Sequence, residues 1–116
     1  MARVWRLRPH GEFERVRQTG RSWPHRLLVL IVQPRLNAPL DPPRVAVVAG
    51  KRLGGAVVRN RVKRQLRAAI QQVAGHIPVG VDVIVMARAP LLDTDFDHIV
   101  TALTEVLQRA GIWHKD

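Results

Sequence analysis

Apolar and polar positions along this chain follow two different periods. From Ala56 or Val57 to Val73, the residues Val58, Val62, Leu66, Ala69, Ile70 and Val73 recur at helical spacing. At about 100° per residue they share one side, which predicts an amphipathic helix that Gly75 and Pro78 stop. A second helix is predicted from near "DTDFD" through Ile99, Val100, Leu103, Val106, Leu107 and Ala110 to Gly111. A short third one lies in "HGEFERVRQTG", where Phe13 and Val16 are three apart and Gly20 follows as a terminator. Three segments read instead as strands: "RLLVLIVQP", ended by Pro34; "RVAVVAG", ended by Gly50; and "VDVIVMARAP", with Val81, Val83 and Val85 on one face and Asp82, Ile84 and Met86 on the other. Between the first two strands, "RLNAPLDPP" holds three prolines in nine residues and is loop. The order is helix, strand, strand, helix, strand, helix, which predicts an α+β layer structure with helices packed on a sheet.

Length and composition narrow the class. At 116 residues the chain fits one domain, residues 1–116, with a single core. An apolar fraction of 47% excludes a disordered tail, although the net charge is +10. That charge is uneven. Residues 1–81 hold 16 Lys or Arg against 3 acids, whereas residues 82–116 hold 3 against 6. A basic segment of this kind is expected of a protein that meets a polyanion through one surface. With no cysteine, disulfides, thiolate metal sites and cysteine nucleophiles are excluded. The N-terminus lacks an apolar stretch after its positive charges, and the longest apolar run, Leu27–Val32, is six residues. We therefore expect a soluble, cytoplasmic protein with no membrane partner.

The basic segment is "KRLGGAVVRNRVKRQLR", with seven Lys or Arg in Lys51–Arg67 and no carboxylate. On the helix that it opens, Arg59, Arg61, Lys63, Arg64 and Arg67 fall outside the apolar arc. A solvated charged face is the simplest explanation of such a pattern, but three features oppose it. No acid supplies the i,i+4 pairing that stabilises solvated helices. The cations crowd the N-terminal half, where the macrodipole disfavours them. Gly54 and Gly55 leave the first helical N–H groups open to an anion, with Lys51 and Arg52 beside them. Nucleic acid is the partner class this predicts. Asn60, between Arg59 and Arg61, suits a base edge or a ribose hydroxyl and equally a capping role. "GGAVVRN" lacks the spacing of a nucleotide-binding phosphate loop.

The run "VAVVAGKRLGGAVVRNRVKRQLR", with "RNR" at 59–61 and "VKR" at 62–64, resembles the signature of the bacterial ribonuclease P protein family. The resemblance continues through "EFERVRQTG" upstream and "DVIVMARAP" downstream. It implies an α-β sandwich resembling the second domain of ribosomal protein S5, with a left-handed βαβ crossover through the basic helix. It also implies a 1:1 complex of a monomeric protein with a catalytic RNA. That RNA, with Mg2+ held mainly by the RNA, removes the 5′ leader of precursor tRNA. No catalytic residue and no covalently bound cofactor is then expected on the protein.

Carried over by residue, the resemblance assigns Lys51, Arg52, Arg59, Asn60, Arg61, Lys63, Arg64 and Arg67 to RNA binding. It implies a leader-binding cleft at Phe13, Arg17, Ile31 and Val48. Phe13 stands where the family's first helix carries an aromatic residue for base stacking, and core packing beside Val16 is its other reading. Arg17 and Ile31 occupy positions that are aromatic in many relatives, so leader grip is expected to be more electrostatic here. Gly55 replaces a frequent asparagine, which removes a side-chain cap.

The remaining polar residues point to no independent chemistry. His10, His25, His76, His98 and His114 have none of the spacings of a zinc pair. Asp93, Asp95 and Asp97 open the last helix, where Thr94 or Asp95 is the expected cap, ahead of metal binding. Trp5, Trp23 and Trp113 fit base stacking or packing of the termini. No acid/base constellation supports a self-sufficient nuclease. The alternative to a cleavage role is a structural RNA-binding protein.

Overall fold

The structure is a computed structural model that describes residues 4–8 and 11–114. His10 lies outside the described residues. Five strands form one sheet: β1 (Trp5–Arg6), β2 (Arg21–Pro24), β3 (Leu28–Pro34), β4 (Arg44–Val48) and β5 (Val81–Ala87), in the order β1-β4-β5-β3-β2. Helix α1 (Gly11–Thr19) lies on one face, and α2 (Ala56–Val73) and α3 (Phe96–Arg109) lie on the other. The sheet is mixed. β1 and β5 pair in parallel with β4, while β3 runs antiparallel to β5 and β2 antiparallel to β3. Because β4 and β5 are parallel neighbours, α2 is the crossover between them, as a parallel pair requires.

All three expected strands and all three expected helices are present, and α2 starts and ends within the predicted bounds. Two short edge strands, β1 and β2, were not foreseen. Neither carries a hydrophobic pattern: β1 has two residues, and the four residues of β2 end at Pro24, which an edge tolerates.

β5 is the central strand and is buried on both faces, which is why it reads as a near-continuous apolar run. Val83 and Val85 pack with Leu28, Leu30 and Val45 under α2 and α3. The helices contribute Val62, Leu66, Ile70, Ile99, Leu103 and Leu107 to that layer. On the opposite face Ile84 packs with Leu7, Ile31 and Val16 beneath α1. The alternation predicted for Val81–Met86 is therefore correct, but both sides enter cores. α3 begins at Asp95, whose carboxylate accepts the His98 backbone N–H at 2.9 Å. The acidic trio is thus a helix start with a capping aspartate.

α1 is anchored differently from the other two helices. Val16 is its only buried side chain, worth about 1.5–3 kcal/mol of apolar burial. A helix of nine residues does not persist on its own in water. Its docking needs polar contacts as well. At the far end of the sheet, Gly80 has φ +76°, and a Cβ there would lie 2.5 Å from the Pro39 carbonyl oxygen. We predict that Gly80→Ala lowers unfolding stability by about 2 kcal/mol or more, read from the denaturant midpoint, without changing the helical content of the folded protein.

Candidate nucleic-acid interface

The basic helix presents its cations as the periodicity predicts. Val62, Leu66, Ala69, Ile70 and Val73 are buried against the sheet and α3, while Asn60, Arg61, Arg64 and Arg67 are exposed on the outer side. Arg59 and Lys63 are half-buried at the borders of that face. Val58, expected in the apolar stripe, is only half-buried. No side chain caps the N-terminus at Gly55. Gly54 has φ +144°, with a Cβ position 3.2 Å from Val58, so glycine is required for the chain to turn this tightly into the helix. Before it, Lys51–Leu53 form one 3-10 turn that exposes Lys51 and Arg52.

Charge pairing sets the basic segment apart from the arginines around α1 and the proline-rich loop. Among the described residues, none of Lys51, Arg52, Arg59, Arg61, Lys63, Arg64 or Arg67 lies within 4.0 Å of a carboxylate. The Arg59 Nε is buried with no hydrogen-bond partner among those residues. Arg15, Arg17, Arg35 and Arg44, by contrast, are all paired with acids. These four are neutralised within the fold, whereas the face of α2 is left bare among the described residues.

The predicted cleft is placed in parts. Phe13, Ala46, Val48 and Met86 form a partly exposed apolar strip on the α1 side of the sheet. A cavity of about 440 Å³ opens at one end of it, lined by Phe13, Trp5, Leu7, Val47 and Arg67. A second, of about 490 Å³, opens at the other end, lined by Val48, Met86, Lys51, Arg52 and Arg88. Arg17 lines neither cavity; it is exposed and pairs with Glu14 at 3.7 Å. Ile31 requires correction, since it is 5% exposed and sealed beneath α1, where the absent Gly20 side chain leaves room for it. It supports the strip from below and offers no contact surface. Lys51 and Arg52 face the same cavity as Val48, so they belong to the mouth of the cleft as much as to the basic helix. Arg88 was missed in the sequence. It lies 36 residues beyond Arg52, and only the parallel register of β4 and β5 brings the two together.

The largest polar feature, a buried carboxylate at Asp82, was also missed. Asp82 is fully buried, and its two oxygens accept from Arg35 Nη1 at 2.6 Å, Arg15 Nη2 at 2.7 Å, Arg44 Nε at 2.8 Å and Arg44 Nη2 at 2.9 Å. Arg35 is itself buried and donates further to the carbonyls of Val81, Asp41 and Pro42. Arg44 also pairs with Glu12, and Arg15 with the Gln33 side-chain oxygen. Burial alone would push the Asp82 carboxyl up. The hydrogen bonds from Arg44, Arg35 and Arg15 outweigh it and hold the group below its ordinary value of 3.8. Trp23 packs on the α2 and α3 core with the Arg21 guanidinium 4.4 Å above its ring, and Trp113 stacks on His76 at 4.1 Å. Those two serve packing, whereas Trp5 is 42% exposed. Among the described residues no group of three or more His or acidic side chains is placed to hold a metal ion.

Fold and site together define a small basic α+β protein that presents an unneutralised cationic helix beside an apolar cleft. The family model for ribonuclease P matches residues 1–111, and the chain belongs to the ribonuclease P protein family, whose members are subunits of a ribonuclease complex. It is 44% identical over 114 residues to the ribonuclease P protein component of Herpetosiphon aurantiacus, covering 98% of this chain and 90% of that one. With the protein component of Roseiflexus castenholzii it shares 37% over 113 residues, covering 97% and 90%. The fold is that of the solved bacterial proteins. The Staphylococcus aureus RNase P protein superposes with a TM-score of 0.83 at 29% identity, covering 97% of this chain and all of that one. The Thermotoga maritima protein gives 0.79 at 28%, covering 90% and 96%.

The Asp82 cluster generates a pH prediction. A folded-state carboxyl held below its unfolded value stabilises the protein above that value, and the contribution is lost as pH falls through the depressed folded value. We expect stability to be level above about pH 5 and to decline below about pH 4. In Asp82→Asn this acid decline shrinks, and stability at neutral pH falls by about 3–5 kcal/mol. Urea unfolding as a function of pH measures both.

Proposed function

We propose that the chain is the protein subunit of cytoplasmic ribonuclease P, joined 1:1 to a catalytic RNA. The cationic face of α2 binds that RNA, and the apolar strip with its basic mouth receives the 5′ leader of precursor tRNA. The observation that carries this reading is the row of seven cations from Lys51 to Arg67, without a carboxylate partner among the described residues, on a helix whose other side is locked in the core. Self-repulsion along such a row is relieved by a polyanion and by nothing else in the described fold.

Each group then has a task that the protein can perform without cleaving a bond. Arg61, Arg64 and Arg67, on successive turns, neutralise phosphates, and Asn60 supplies a donor and an acceptor to a base edge or ribose hydroxyl. Phe13 offers a face for a leader base, while Lys51, Arg52 and Arg88 hold leader phosphates at the mouth. Mg2+ held by the RNA would supply the Lewis-acid chemistry for the hydrolysis that gives the mature tRNA 5′ end. The protein's contribution is to offset phosphate repulsion between RNA and substrate, and to fix the leader in place.

The test is reconstitution with the cognate catalytic RNA. Adding the protein should restore precursor-tRNA cleavage at Mg2+ concentrations too low for the RNA alone. Binding without stimulation would instead indicate a structural RNA-binding protein. Replacing Arg59 and Arg61 together by Ala should weaken RNA association and flatten its salt dependence by roughly one unit of slope per lost phosphate contact. An unchanged slope places the interface elsewhere.

A further inference from the structure

Helix α1 forms one wall of the cleft, yet Val16 is its one buried apolar side chain, with Phe13 only half-buried against the same cluster. Its polar contacts to the sheet all lie on one flank. At about 100° per residue, Glu12, Arg15 and Thr19 share that flank, Phe13 and Arg17 share the other, and Val16 points down between them. The polar flank converges on Asp82: Arg15 binds it directly, and Glu12 binds it through Arg44. Asp82 itself has no freedom, because Arg35 and Arg44 fix both oxygens and Arg35 is tied to three backbone carbonyls.

The strand that carries Asp82 does not need this carboxylate for its own pairing. β5 is held on both edges, with register Asp82↔Gln33 to β3 and Arg44↔Asp82 to β4. Apolar residues in place of the whole cluster would fill the space at little cost to the strand, whereas removing Asp82 alone leaves Arg35 a buried, uncompensated charge. What an apolar cluster would lack is direction. A carboxylate already held by the Arg44 fork and by Arg35 Nη1 accepts a third arginine only along one line, and that line sets how far α1 is rolled about its axis.

We propose that Asp82 is a positioning residue for the leader: through Arg15 and the Arg44–Glu12 pair it sets the roll of α1, and so aims Phe13 and Arg17 at the strip of Ala46, Val48 and Met86. The proposal rests on the reading that this strip receives the leader. Asp82 touches no RNA and takes no part in the cationic face of α2, so its effect falls on leader recognition and leaves association with the catalytic RNA intact.

The experiment uses the protein reconstituted with its catalytic RNA and compares precursor with mature tRNA. Arg15→Gln is the principal variant, because Arg15 is partly exposed and its loss leaves Asp82 paired with Arg35 and Arg44. It should bind the catalytic RNA as the unaltered protein does, and lose preference for precursor over mature tRNA by roughly five- to thirty-fold. Amide exchange in α1 should quicken while that of α2 does not. Arg15→Lys, which keeps a donor to Asp82, should recover part of the preference. Asp82→Asn should behave as Arg15→Gln does if it folds; if it does not, Arg15→Gln decides alone. Phe13→Ala separates the two levels of the argument. If it lowers the preference while Arg15→Gln leaves it unchanged, the positioning role of Asp82 is wrong and the cleft stands. If neither variant changes it, the cleft reading fails. An equal loss of catalytic-RNA affinity in Arg15→Gln would reduce Asp82 to a general support of the fold.

Discussion

The double burial of β5 is the constraint from which the rest follows. A strand covered on both faces needs a layer on each side, and the two layers here are built by different means. On one side, α2 and α3 bring long aliphatic side chains into a continuous core with β3, β4 and β5. On the other, α1 covers only part of the sheet, and Phe13, Ala46, Val48 and Met86 are left partly open. The sealed side supplies stability, and the half-covered side supplies a groove. Moving the apolar load to the α2 and α3 side also frees the outer surface of α2 from any packing role, so it can be made wholly cationic without weakening the core.

Arginine is used in opposite ways on the two sides. Around Asp82, four guanidinium contacts converge on one buried carboxylate, whose desolvation is offset because every lone pair is engaged. Along α2, the cations meet no acid among the described residues, and the helix begins without a side-chain cap. The first arrangement converts charge into geometry. The second keeps charge available, at the expense of local helix stability, since the macrodipole and mutual repulsion both oppose cations in the first turns. A chain that neutralises one set so thoroughly has not left the other bare for want of carboxylates: Asp93, Asp95 and Asp97 sit together at the start of α3, and Asp95 serves there as a cap.

Much of this was legible in the residues because it depends on local periodicity. The stripe Val62, Leu66, Ala69, Ile70 and Val73 specifies α2, and the same stripe dictates that Arg61, Arg64 and Arg67 face outward. The proline-rich loop and the runs on either side of it specify β3 and β4. What local pattern cannot carry is pairing between distant residues. Arg35 and Asp82 are 47 residues apart, and Asp82 looked like the polar half of an alternating strand. A signal was present, though weak: a lone acid in an otherwise aliphatic strand, with arginines at both ends of the proline-rich loop. Ile31 came into the cleft by resemblance alone, and position in a family pattern does not say how far α1 will cover the strand here. β1 and β2 escaped because edge strands this short need no pattern of their own; they borrow register from β4 and β3.

The parallel pairing of β4 with β5 joins these parts into one surface. A parallel crossover must leave the end of β4 and return to the start of β5, so α2 runs back across the sheet. Its approach puts Lys51 and Arg52 at the cavity bounded by Val48, Met86 and Arg88, and its course carries Arg67 to the cavity bounded by Trp5 and Phe13. The cationic track and the apolar strip therefore meet at both of their ends. In the proposed reading, an RNA bound along α2 and a leader laid along the strip are held in a set mutual orientation by one crossover. Their separation is then a property of the sheet, and the roll of α1 between them is set by its contacts to Asp82 and Arg44.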